Sequence, residues 1–404
     1  MRRARSKVGA TVLAIAALAG CSSSSGTGTG ARTASGAAPG GAASACTAAV
    51  TGGAPLEPAA GAWFGVNLDW ENDSPASYAG RLGRTPAVFV EFAAFPLDDA
   101  PGERLDAVID QVADVGGMAL LTLEPRGGLE AVTPAVAAAL GERLAGYNRR
   151  GVPVFVRFAH EMNGSWYPWS QQPAEFVRAF RTVADAVHRL APASATVWAP
   201  NYGGGYPFAG GAHAAEPGTA AFATLDTDGD GSLSMTDDPY GPYYPGDDAV
   251  DWVGMSLYHW GSAYPWGENE LPEPGKFVAQ LTGEYDGAGG DDTALPDFSA
   301  VWSVGRDKPL AVTETAAFHA PGRGGADAAE TKRRWWGQVL DPAARERVPR
   351  LAMVNWFEWD KQEQEVGGRV DWTVTRHPRL AGEFGAALGQ GFSFSSEVAA
   401  ACRR

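Results

Sequence analysis

Short apolar stretches recur along the chain and alternate with longer segments in which apolar residues return every three or four positions. The apolar stretches are rich in β-branched and aromatic residues and predict eight strands, at residues 63–68, 87–92, 118–123, 152–158, 195–199, 251–257, 309–313 and 351–356. The periodic segments predict amphipathic helices at residues 102–115, 134–149, 173–190, 327–340 and 378–388. Strands that are apolar throughout and are separated by helices indicate a parallel sheet covered on both faces.

Eight such strand units over roughly 350 residues predict an α/β fold, the (β/α)8 TIM barrel, with a long insertion after strand five at about residues 203–247. The alternative is an open doubly wound sheet. Against it, no glycine-rich phosphate turn follows the first strand, where Gly65 stands alone. In a barrel, the chemistry lies at the carboxyl ends of the strands, so the residues that follow each strand are informative.

Acids, amides and aromatic residues follow almost every predicted strand. They are Asp69, Trp70, Glu71, Glu124, His160, Glu161, Asn201, Tyr202, Tyr258, His259, Trp260, Glu314, Trp356, Glu358 and Trp359. A barrel that needed only solubility at this end would carry more lysine, serine and short turns. We therefore expect a sugar-binding cleft in the barrel mouth.

The fourth predicted strand begins a stretch, residues 152–169, that reads VPVFVRFAHEMNGSWYPW. Its end brings Glu161 close in sequence to Trp166, Tyr167 and Trp169. A carboxylic acid can donate a proton to a glycosidic oxygen, and flat rings can stack on sugar faces. The alternative is a core strand followed by a packed aromatic loop without a chemical role.

Glycoside hydrolysis by the usual route needs a second carboxylate, which attacks the sugar or activates water. Glu314 is the leading candidate for this role because it directly follows an apolar strand and is followed by small residues. Glu91, Glu124 and Glu358 are rivals. Glu91 lies within its strand and Glu124 precedes a proline, so both also suit structural ion pairs.

Five segments stand in one order along the chain: HEMNGSWYPW at 160–169, VWAPN at 197–201, YPGD at 244–247 with DWVG at 251–254, SLY at 256–258 and TET at 313–315. Together they resemble glycoside hydrolase family 26, whose members are retaining barrel glycosidases with catalytic glutamates after strands four and seven. The resemblance extends from about residue 60 to the C-terminal region. It implies that Glu161 is the acid/base and that Glu314 is the nucleophile.

The resemblance also implies that Tyr258 hydrogen-bonds the nucleophile and that Trp356 forms a stacking floor for the sugar. The complete set of expected substrate-binding residues is His160, Trp166, Trp169, Asn201, Tyr258 and Trp356. The implied activity is endo-cleavage of β-1,4-mannan, with no cofactor for catalysis. Cleavage of β-glucan or xylan on the same fold stays open, as does a non-catalytic, glycan-binding surface lipoprotein. An envelope lyase or a polysaccharide-assembly factor also stays open.

Two further side chains of the fourth strand have competing interpretations. Arg157 and Glu161 share parity along the strand, so Arg157 either holds Glu314 ionised in the barrel mouth or forms a buried structural salt bridge. His160 beside Glu161 also suggests zinc. The helical zinc motif needs a second histidine at position 164, which is glycine, so we discard that interpretation.

A second motif, DTDGDGSLSMTD at residues 226–237, matches a calcium-binding loop. The expected oxygen ligands are Asp226, Asp228, Asp230, Ser232 and Asp237. Aspartate rather than glutamate stands at the last position, which makes bidentate ligation less assured. The loop lies in the insertion after strand five, where we expect a structural Ca²⁺ to brace the edge of the cleft. The alternative is a solvated acidic turn.

The net charge of −15 argues against nucleic acid or an anionic membrane surface as partner and is compatible with neutral polysaccharide. Residues 1–20 form a basic start followed by a short apolar run, which predicts a signal peptide. The segment before Cys21 resembles a bacterial lipobox and implies lipidation of Cys21, with residues 21–54 as a tether and residues 55–404 as the catalytic barrel.

We expect a monomer on the outer face of the cell membrane, attached to it only through the lipid anchor, or else secreted. The remaining cysteines, Cys46 and Cys402, are a candidate disulfide that joins the two ends of the barrel.

Overall fold

Eight parallel strands close into a barrel in the computed structural model, which describes residues 53–262, 267–287, 292–389 and 391–401. The barrel strands are β1 (Ala62–Leu68), β2 (Val88–Ala94), β3 (Met118–Glu124), β4 (Val154–Phe158), β5 (Ser194–Trp198), β6 (Trp252–Ser256), β7 (Leu310–Thr315) and β8 (Leu351–Glu358). Each pairs with its neighbour in chain order, and β1 pairs with β8 to close the ring. The predicted (β/α)8 TIM barrel is confirmed.

Helices surround the barrel. They are α1 (Pro75–Leu82), α2 (Asp99–Asp114), α3 (Pro134–Arg149), α4 (Pro173–Leu190), α5 (Ala220–Leu225), α6 (Lys276–Leu281), α7 (Ala328–Val339), α8 (Pro342–Arg347), α9 (Pro378–Ala387) and α10 (Ser395–Ala401). The 3₁₀ turns are Leu129–Ala131, Gly241–Tyr243 and Asp292–Ala294, and a π-helical segment spans Ser299–Val304. Ser74 and Thr133 cap α1 and α3, each followed by a proline that suits the first helical position.

All five predicted helices are confirmed, with α2 beginning three residues earlier than expected. The sequence pattern missed the short helices α1, α5, α6, α8 and α10. It also missed the antiparallel hairpin of β9 (Asp360–Glu363) and β10 (Gly368–Asp371), and β11 (Phe392–Ser393), which pairs with β1. The hairpin follows β8 directly and therefore lies at the end of the barrel where the strands terminate.

Strand alternation divides the apolar residues into two layers. Trp63, Phe155 and Trp252 belong to the cluster inside the barrel, and a larger cluster fills the space between strands and helices. The interior is tightly filled: a Cβ at Gly65 of β1 would lie 1.9 Å from Oδ1 of Asn355 in β8. Gly65 is therefore needed for close packing of these two strands.

The connection from β5 to β6, residues 199–251, contains only α5 and one 3₁₀ turn as regular structure, which confirms the long insertion after strand five. The predictions for the signal peptide, for Cys21 and for the Cys46–Cys402 disulfide lie outside the described residues. Within the described ranges, no helix combines the length and the apolar character needed to cross a bilayer.

Candidate active site

The ends of β4 and β7 carry the two leading carboxylates. Beyond β4, the chain turns sharply through Ala159 and Glu161, whose φ angles of +46° and +54° lie in the left-handed region. Non-glycine residues seldom adopt this conformation, and such strain is concentrated at functional sites. The backbone N–H of Glu161 donates to the carbonyl of Ala199 at 3.0 Å, which ties the turn to the end of β5.

Glu314 lies where β7 loses its regular register. The pairing shifts between Met255 and Ser256 on the β6 side, and between Val312 and Thr315 on the β8 side. A bulge of this kind changes the direction of a side chain and is common beside active sites. Thr315, the next residue, accepts a hydrogen bond from Trp335 of α7 and so faces outward, whereas Glu314 contacts Arg157 and Tyr258.

Glu161 is half-buried beside an aromatic side chain. Trp166 donates its indole N–H to Oε2 of Glu161 at 3.1 Å. Burial raises the pKa of Glu161 to about 7, and the nearby negative charge of Glu314 acts in the same direction. Arg157 and the hydrogen bonds from Ser256 and Trp166 oppose this rise. A carboxyl with such a pKa holds its proton near neutral pH and can donate it.

Glu314 has the opposite surroundings. The hydroxyl of Tyr258 donates to Oε2 at 2.6 Å, and Nη2 of Arg157 lies 2.5 Å from Oε1. Arg157 is fully buried and also donates to the hydroxyl of Ser256 at 3.1 Å. Burial raises the pKa of the Tyr258 phenol well above its ordinary value, so Tyr258 stays protonated and remains a donor. One hydrogen bond and one buried ion pair therefore hold the two oxygens of the Glu314 carboxylate.

The two carboxylates meet across the barrel mouth. One oxygen of Glu161, one oxygen of Glu314 and a ring nitrogen of His160 all lie within 4.8 Å of one another. Carboxyl groups of retaining glycosidases are about 5–5.5 Å apart, whereas those of inverting enzymes are about 6.5–9.5 Å apart. The spacing therefore favours direct attack by one carboxylate over activation of an intervening water.

His160 is buried in an aromatic enclosure. Its ring centroid lies 5.4 Å from that of Phe92, 4.9 Å from Tyr167 and 5.8 Å from Trp169. Burial lowers the pKa of His160 well below its ordinary value, so the ring is neutral. Its Nδ1 is buried and has no hydrogen-bond partner among the described residues. The trio of His160, Glu161 and Glu314 is close enough to hold a cation, but Arg157 already neutralises Glu314.

Two aromatic residues predicted to touch the sugar do not face the cleft. Trp169 is fully buried, stacks on Tyr167 at 4.4 Å and donates its indole N–H to the carbonyl of His160. It therefore supports the site from beneath. Trp356 is also fully buried and packs at 4.9 Å against Phe384 of α9, on the outer face of the barrel. This burial contradicts the expectation that Trp169 contacts the substrate and that Trp356 forms a stacking floor for the sugar.

Phe357, the residue after Trp356, faces the barrel mouth instead. Its ring lies 5.7 Å from Tyr258 and stacks at 6.0 Å on Trp359, which is half-buried. Trp372, from the segment after the β9–β10 hairpin, packs at 5.3 Å on Tyr258 and at 6.2 Å on Phe357. These rings surround the tyrosine that holds Glu314. Strand alternation places Phe357 on the same face as Met353 and Asn355, and this signal in the sequence could have identified it.

Asn201 is held by its backbone. Its N–H donates to Oδ1 of Asn163 at 2.8 Å, and its carbonyl accepts from Nδ2 of Asn163 at 2.9 Å. This reciprocal pair joins the loop after β4 to the end of β5 and leaves the Asn201 side chain half-buried. Asn163 was not among the predicted site residues, although it lies in the same motif.

The three rival carboxylates have structural partners. Glu91 is paired with Arg104 at 3.1 Å and Glu124 with Arg126 at 2.7 Å. Glu358 is buried and accepts from the backbone N–H groups of Val374 and Thr375 and from the Thr375 hydroxyl. Of the five candidates, Glu161 and Glu314 are the ones that face each other across the barrel mouth.

The loop at residues 226–237 brings part of the predicted calcium ligand set together. Oxygens of Asp226, Asp228 and Asp237 lie within 4.8 Å of one another. Asp237 is buried, and its carboxylate accepts from the backbone N–H of Thr227 at 2.6 Å and from that of Ser234 at 2.8 Å. The predicted ligands Asp230 and Ser232 contact each other instead, since the Asp230 carboxylate accepts from the Ser232 N–H at 2.8 Å.

Solved structures resemble this barrel. A modular endo-β-1,4-mannanase of glycoside hydrolase family 26 from Cellulomonas fimi is 17% identical, with 85% of this chain and 74% of that chain aligned at a TM-score of 0.54. A GH26 endo-β-1,4-mannanase catalytic domain from Bacillus sp. JAMB-750 is 18% identical over 85% of this chain and 89% of that chain, at 0.50. The chain has the fold of glycoside hydrolase family 26. The predicted resemblance to that family is confirmed at the level of the fold.

No protein-family model matches the chain. Endoglucanase H of Acetivibrio thermocellus is 22% identical over 250 residues, which are 60% of this chain. The match spans 21% of the length of that protein.

Proposed function

We propose that the protein is a retaining endo-β-glycosidase that hydrolyses β-1,4-mannan or a related β-glycan. The observation that carries the proposal is the pair of facing carboxylates, Glu161 and Glu314, with their oxygens within 4.8 Å and their surroundings of opposite character. The names of similar proteins support the substrate class, since two are mannanases and one is an endoglucanase.

In the first step, the ionised carboxylate of Glu314 attacks the anomeric carbon of the sugar. Glu161 donates its proton to the glycosidic oxygen as the bond between that oxygen and the anomeric carbon breaks. The products are a covalent glycosyl ester on Glu314, a leaving chain with a new hydroxyl, and an ionised Glu161. Arg157 and Tyr258 position Glu314 for attack through its two oxygens.

In the second step, the ionised Glu161 takes a proton from water, and the resulting hydroxide attacks the anomeric carbon of the ester. The bond to Glu314 breaks, the sugar leaves with its original configuration, and both carboxyl groups return to their starting states. The half-buried Trp166, which donates to Glu161, is placed to contact the sugar on the leaving-group side. The reaction by this route uses no cofactor.

The substrate is tested by incubating the purified protein with mannan, mixed-linkage β-glucan and xylan. New reducing ends are measured, and the anomer that forms first is identified by NMR. Mannan is the expected substrate, and the β-anomer is the expected first product. Binding of glycan without new reducing ends would instead indicate a glycan-binding protein, and unsaturated product ends would indicate a lyase.

The 226–237 loop is proposed to bind Ca²⁺ through Asp226, Asp228 and Asp237, with Asp230 and Ser232 turning toward the ion when it is bound. The convergence of three carboxylates supports this, because unpaired like charges at such distances repel. We expect Ca²⁺ to raise the thermal unfolding midpoint and Asp228→Asn to abolish that rise, because a ligand that binds only the folded state stabilises it. Asp185→Asn, at an exposed position of α4, is the control, and a rise that persists in Asp228→Asn would contradict the assignment.

Export as a lipoprotein is proposed from the first 21 residues alone. We expect signal cleavage before Cys21, a diacylated Cys21 and a monomeric catalytic barrel attached to the outer face of the cell membrane. Mass spectrometry of the N-terminal peptide from the full chain tests this directly. A Cys21→Ala protein that still fractionates with membranes would contradict the anchor, and light scattering of the tether-free protein measures the oligomeric state.

A further inference from the structure

A polar cleft of about 640 Å³ opens at the carboxyl ends of β1 and β8, on the same end of the barrel as the catalytic pair. This volume lies in the range of small-molecule binding sites. The cleft is lined by residues from the turn after β1, from α1, from the start of β9 and from the segment before α9. They are Asp69, Asn72, Asp73, Arg81, Asp360 and Arg376.

Two of the three lining carboxylates are already neutralised by paired contacts. Asp73 accepts two hydrogen bonds from Arg81, whose third donor, Nε, reaches Thr375 at 3.1 Å. Asp360 likewise accepts two from Arg369. Paired arginine–carboxylate contacts of this kind are short and directional, and they hold the walls of the cleft in place.

Asp69 and Arg376 have hydrogen-bonding capacity to spare. The carboxylate of Asp69 accepts from the Asn72 side chain at 2.9 Å and from the Glu71 N–H at 3.3 Å. Nη2 of Arg376 is 3.9 Å from Asp69, and Nη1 is 3.4 Å from Asp360. Charge-assisted hydrogen bonds are normally about 2.7–2.9 Å, so the guanidinium forms no short contact with either acid. The cleft therefore contains a carboxylate that can accept further hydrogen bonds and a guanidinium that can donate them.

A series of aromatic contacts joins this cleft to the catalytic pair. Tyr258, which donates to Glu314, packs against Phe357, and Phe357 stacks on Trp359. Trp359 donates its indole N–H to Asn67 at 3.0 Å, two residues before Asp69. In a ring of eight strands, β8 lies opposite β4, so the cleft is across the barrel mouth from Glu161.

We propose that Asp69 and Arg376 form a distal subsite for a neutral sugar unit of the glycan, beyond the units held at Glu161 and Glu314. The inference rests on the proposed glycosidase function. A carboxylate that accepts from adjacent hydroxyls, beside a guanidinium that donates to their oxygens, matches the alternating donors and acceptors of a neutral sugar. With Asp73 and Asp360 neutralised by Arg81 and Arg369, the cleft keeps one carboxylate and one guanidinium, and this balance favours a neutral sugar over an acidic one.

The test compares kcat/KM for β-1,4-linked manno-, gluco- and xylo-oligosaccharides of increasing length in wild type, Asp69→Asn and Arg376→Ala. Asp69→Asn retains an acceptor for the turn, so it keeps the fold while removing the charge. The control is Arg379→Ala, an exposed arginine on α9 outside the cleft. Thermal unfolding is measured for every variant.

We expect each cleft variant to lose about 10- to 100-fold on chains long enough to reach the cleft, because one or two hydrogen bonds to a charged group are lost. The loss should shrink as the chain is shortened, while Arg379→Ala behaves as wild type at every length. A loss that is equal at all lengths, or no loss, would overturn the subsite. If Arg376→Ala lowered kcat/KM only for xylo-oligosaccharides that carry a uronic acid, the subsite would bind an acidic sugar, and the assignment to a neutral sugar would be overturned.

Calorimetry on Glu314→Gln protein separates this proposal from the proposed hydrolysis. Suppose that wild type cleaves none of the sugars, that Glu314→Gln binds the longer ones, and that adding Asp69→Asn to Glu314→Gln weakens this binding. In that case the hydrolase assignment fails and the subsite stands. If cleavage occurs and Asp69→Asn leaves binding unchanged at every length, the subsite fails and the hydrolase assignment stands.

Discussion

Glu161 and Glu314 are the same residue type, lie at the same end of one barrel and approach within 4.8 Å, yet their surroundings differ in kind. Glu161 accepts hydrogen bonds from uncharged donors, Trp166 and Ser256, in a half-buried pocket, and burial raises its pKa to about 7. Glu314 is held through both oxygens by a buried guanidinium and a phenol. The difference teaches that the division of labour between acid and nucleophile is set by neighbouring donors, not by the carboxyl groups themselves.

The largest expected effect is that of Glu314→Ala, because it removes the group that forms the covalent intermediate. We expect kcat to fall on the order of 10⁴- to 10⁶-fold on the preferred glycan. Azide added to this variant should restore turnover of an activated aryl glycoside and yield a glycosyl azide of inverted configuration, since azide then attacks in place of Glu314. A retained product, or full activity without azide, would show that Glu314 is not the nucleophile.

Glu161→Ala should cost less, about 10²- to 10⁴-fold in kcat/KM on a glycan, because general acid catalysis contributes that much. Aryl glycosides with good leaving groups should be cleaved with a smaller loss, since they need no proton. Azide should now give a glycosyl azide of retained configuration, because it attacks the ester on Glu314.

The pH profile gives a second readout of Glu161. Wild-type kcat/KM should decline as the pH rises through about 7, where Glu161 loses its proton. The Glu161→Ala variant should lack this decline. A decline that is unchanged in the variant would assign the titration to another group.

Tyr258→Phe removes one hydrogen bond to a charged group, which corresponds to about a 10- to 100-fold loss in kcat/KM. The loss should appear mainly in kcat, because the tyrosine touches the nucleophile. Tyr244→Phe is the matched control: its hydroxyl donates to the carboxylate of Asp247 at 2.7 Å, on a different part of the barrel. Equal losses in the two variants would mean that the Tyr258 effect is one of folding.

The fold and the catalytic pair could be predicted from sequence because both depend on local patterns. The barrel strands are largely apolar, Glu161 lies three residues beyond the end of β4, and Glu314 is the last residue but one of β7. The β9–β10 hairpin could not be predicted in this way, because its residues, DKQE and GRVD, are mostly polar and carry no apolar period. The hairpin nevertheless leads to Trp372, which packs against Tyr258.

The direction of individual side chains was the harder part of the site to predict. Trp356 and Phe357 are adjacent aromatic residues, and only the register of β8 against β1 and β7 decides which one faces the mouth. Trp169 lies in the active-site motif but is covered by Tyr167, a contact that depends on the turn after β4. Proximity in sequence to a catalytic residue therefore did not establish contact with substrate.

The smallest expected effect is a gain in stability. A substitution that removes the catalytic acid should raise the free energy of unfolding at high pH. Glu161 has a pKa of about 7 in the folded protein against an ordinary value of 4.5, so between these pH values the unfolded chain releases a proton that the folded protein keeps. The folded state must therefore lose stability as the pH rises through this window. A pKa difference of this size corresponds to about 3 kcal/mol, and solvent screening of the half-buried carboxyl reduces it to roughly 1–2 kcal/mol. Glutamine cannot ionise, so the free energy of unfolding of Glu161→Gln, compared with that of wild type, should be higher at pH 8 than at pH 4 by this amount.

Urea unfolding of wild type and Glu161→Gln at pH 4 and pH 8 measures this difference, with the exposed Glu216→Gln as control. The gain should be absent at pH 4, where both folded and unfolded wild type carry the proton. A stability difference that is the same at both pH values would mean that Glu161 is ionised in the folded protein. In that case Glu161 could not serve as the proton donor at neutral pH, and the contrast with Glu314 would disappear.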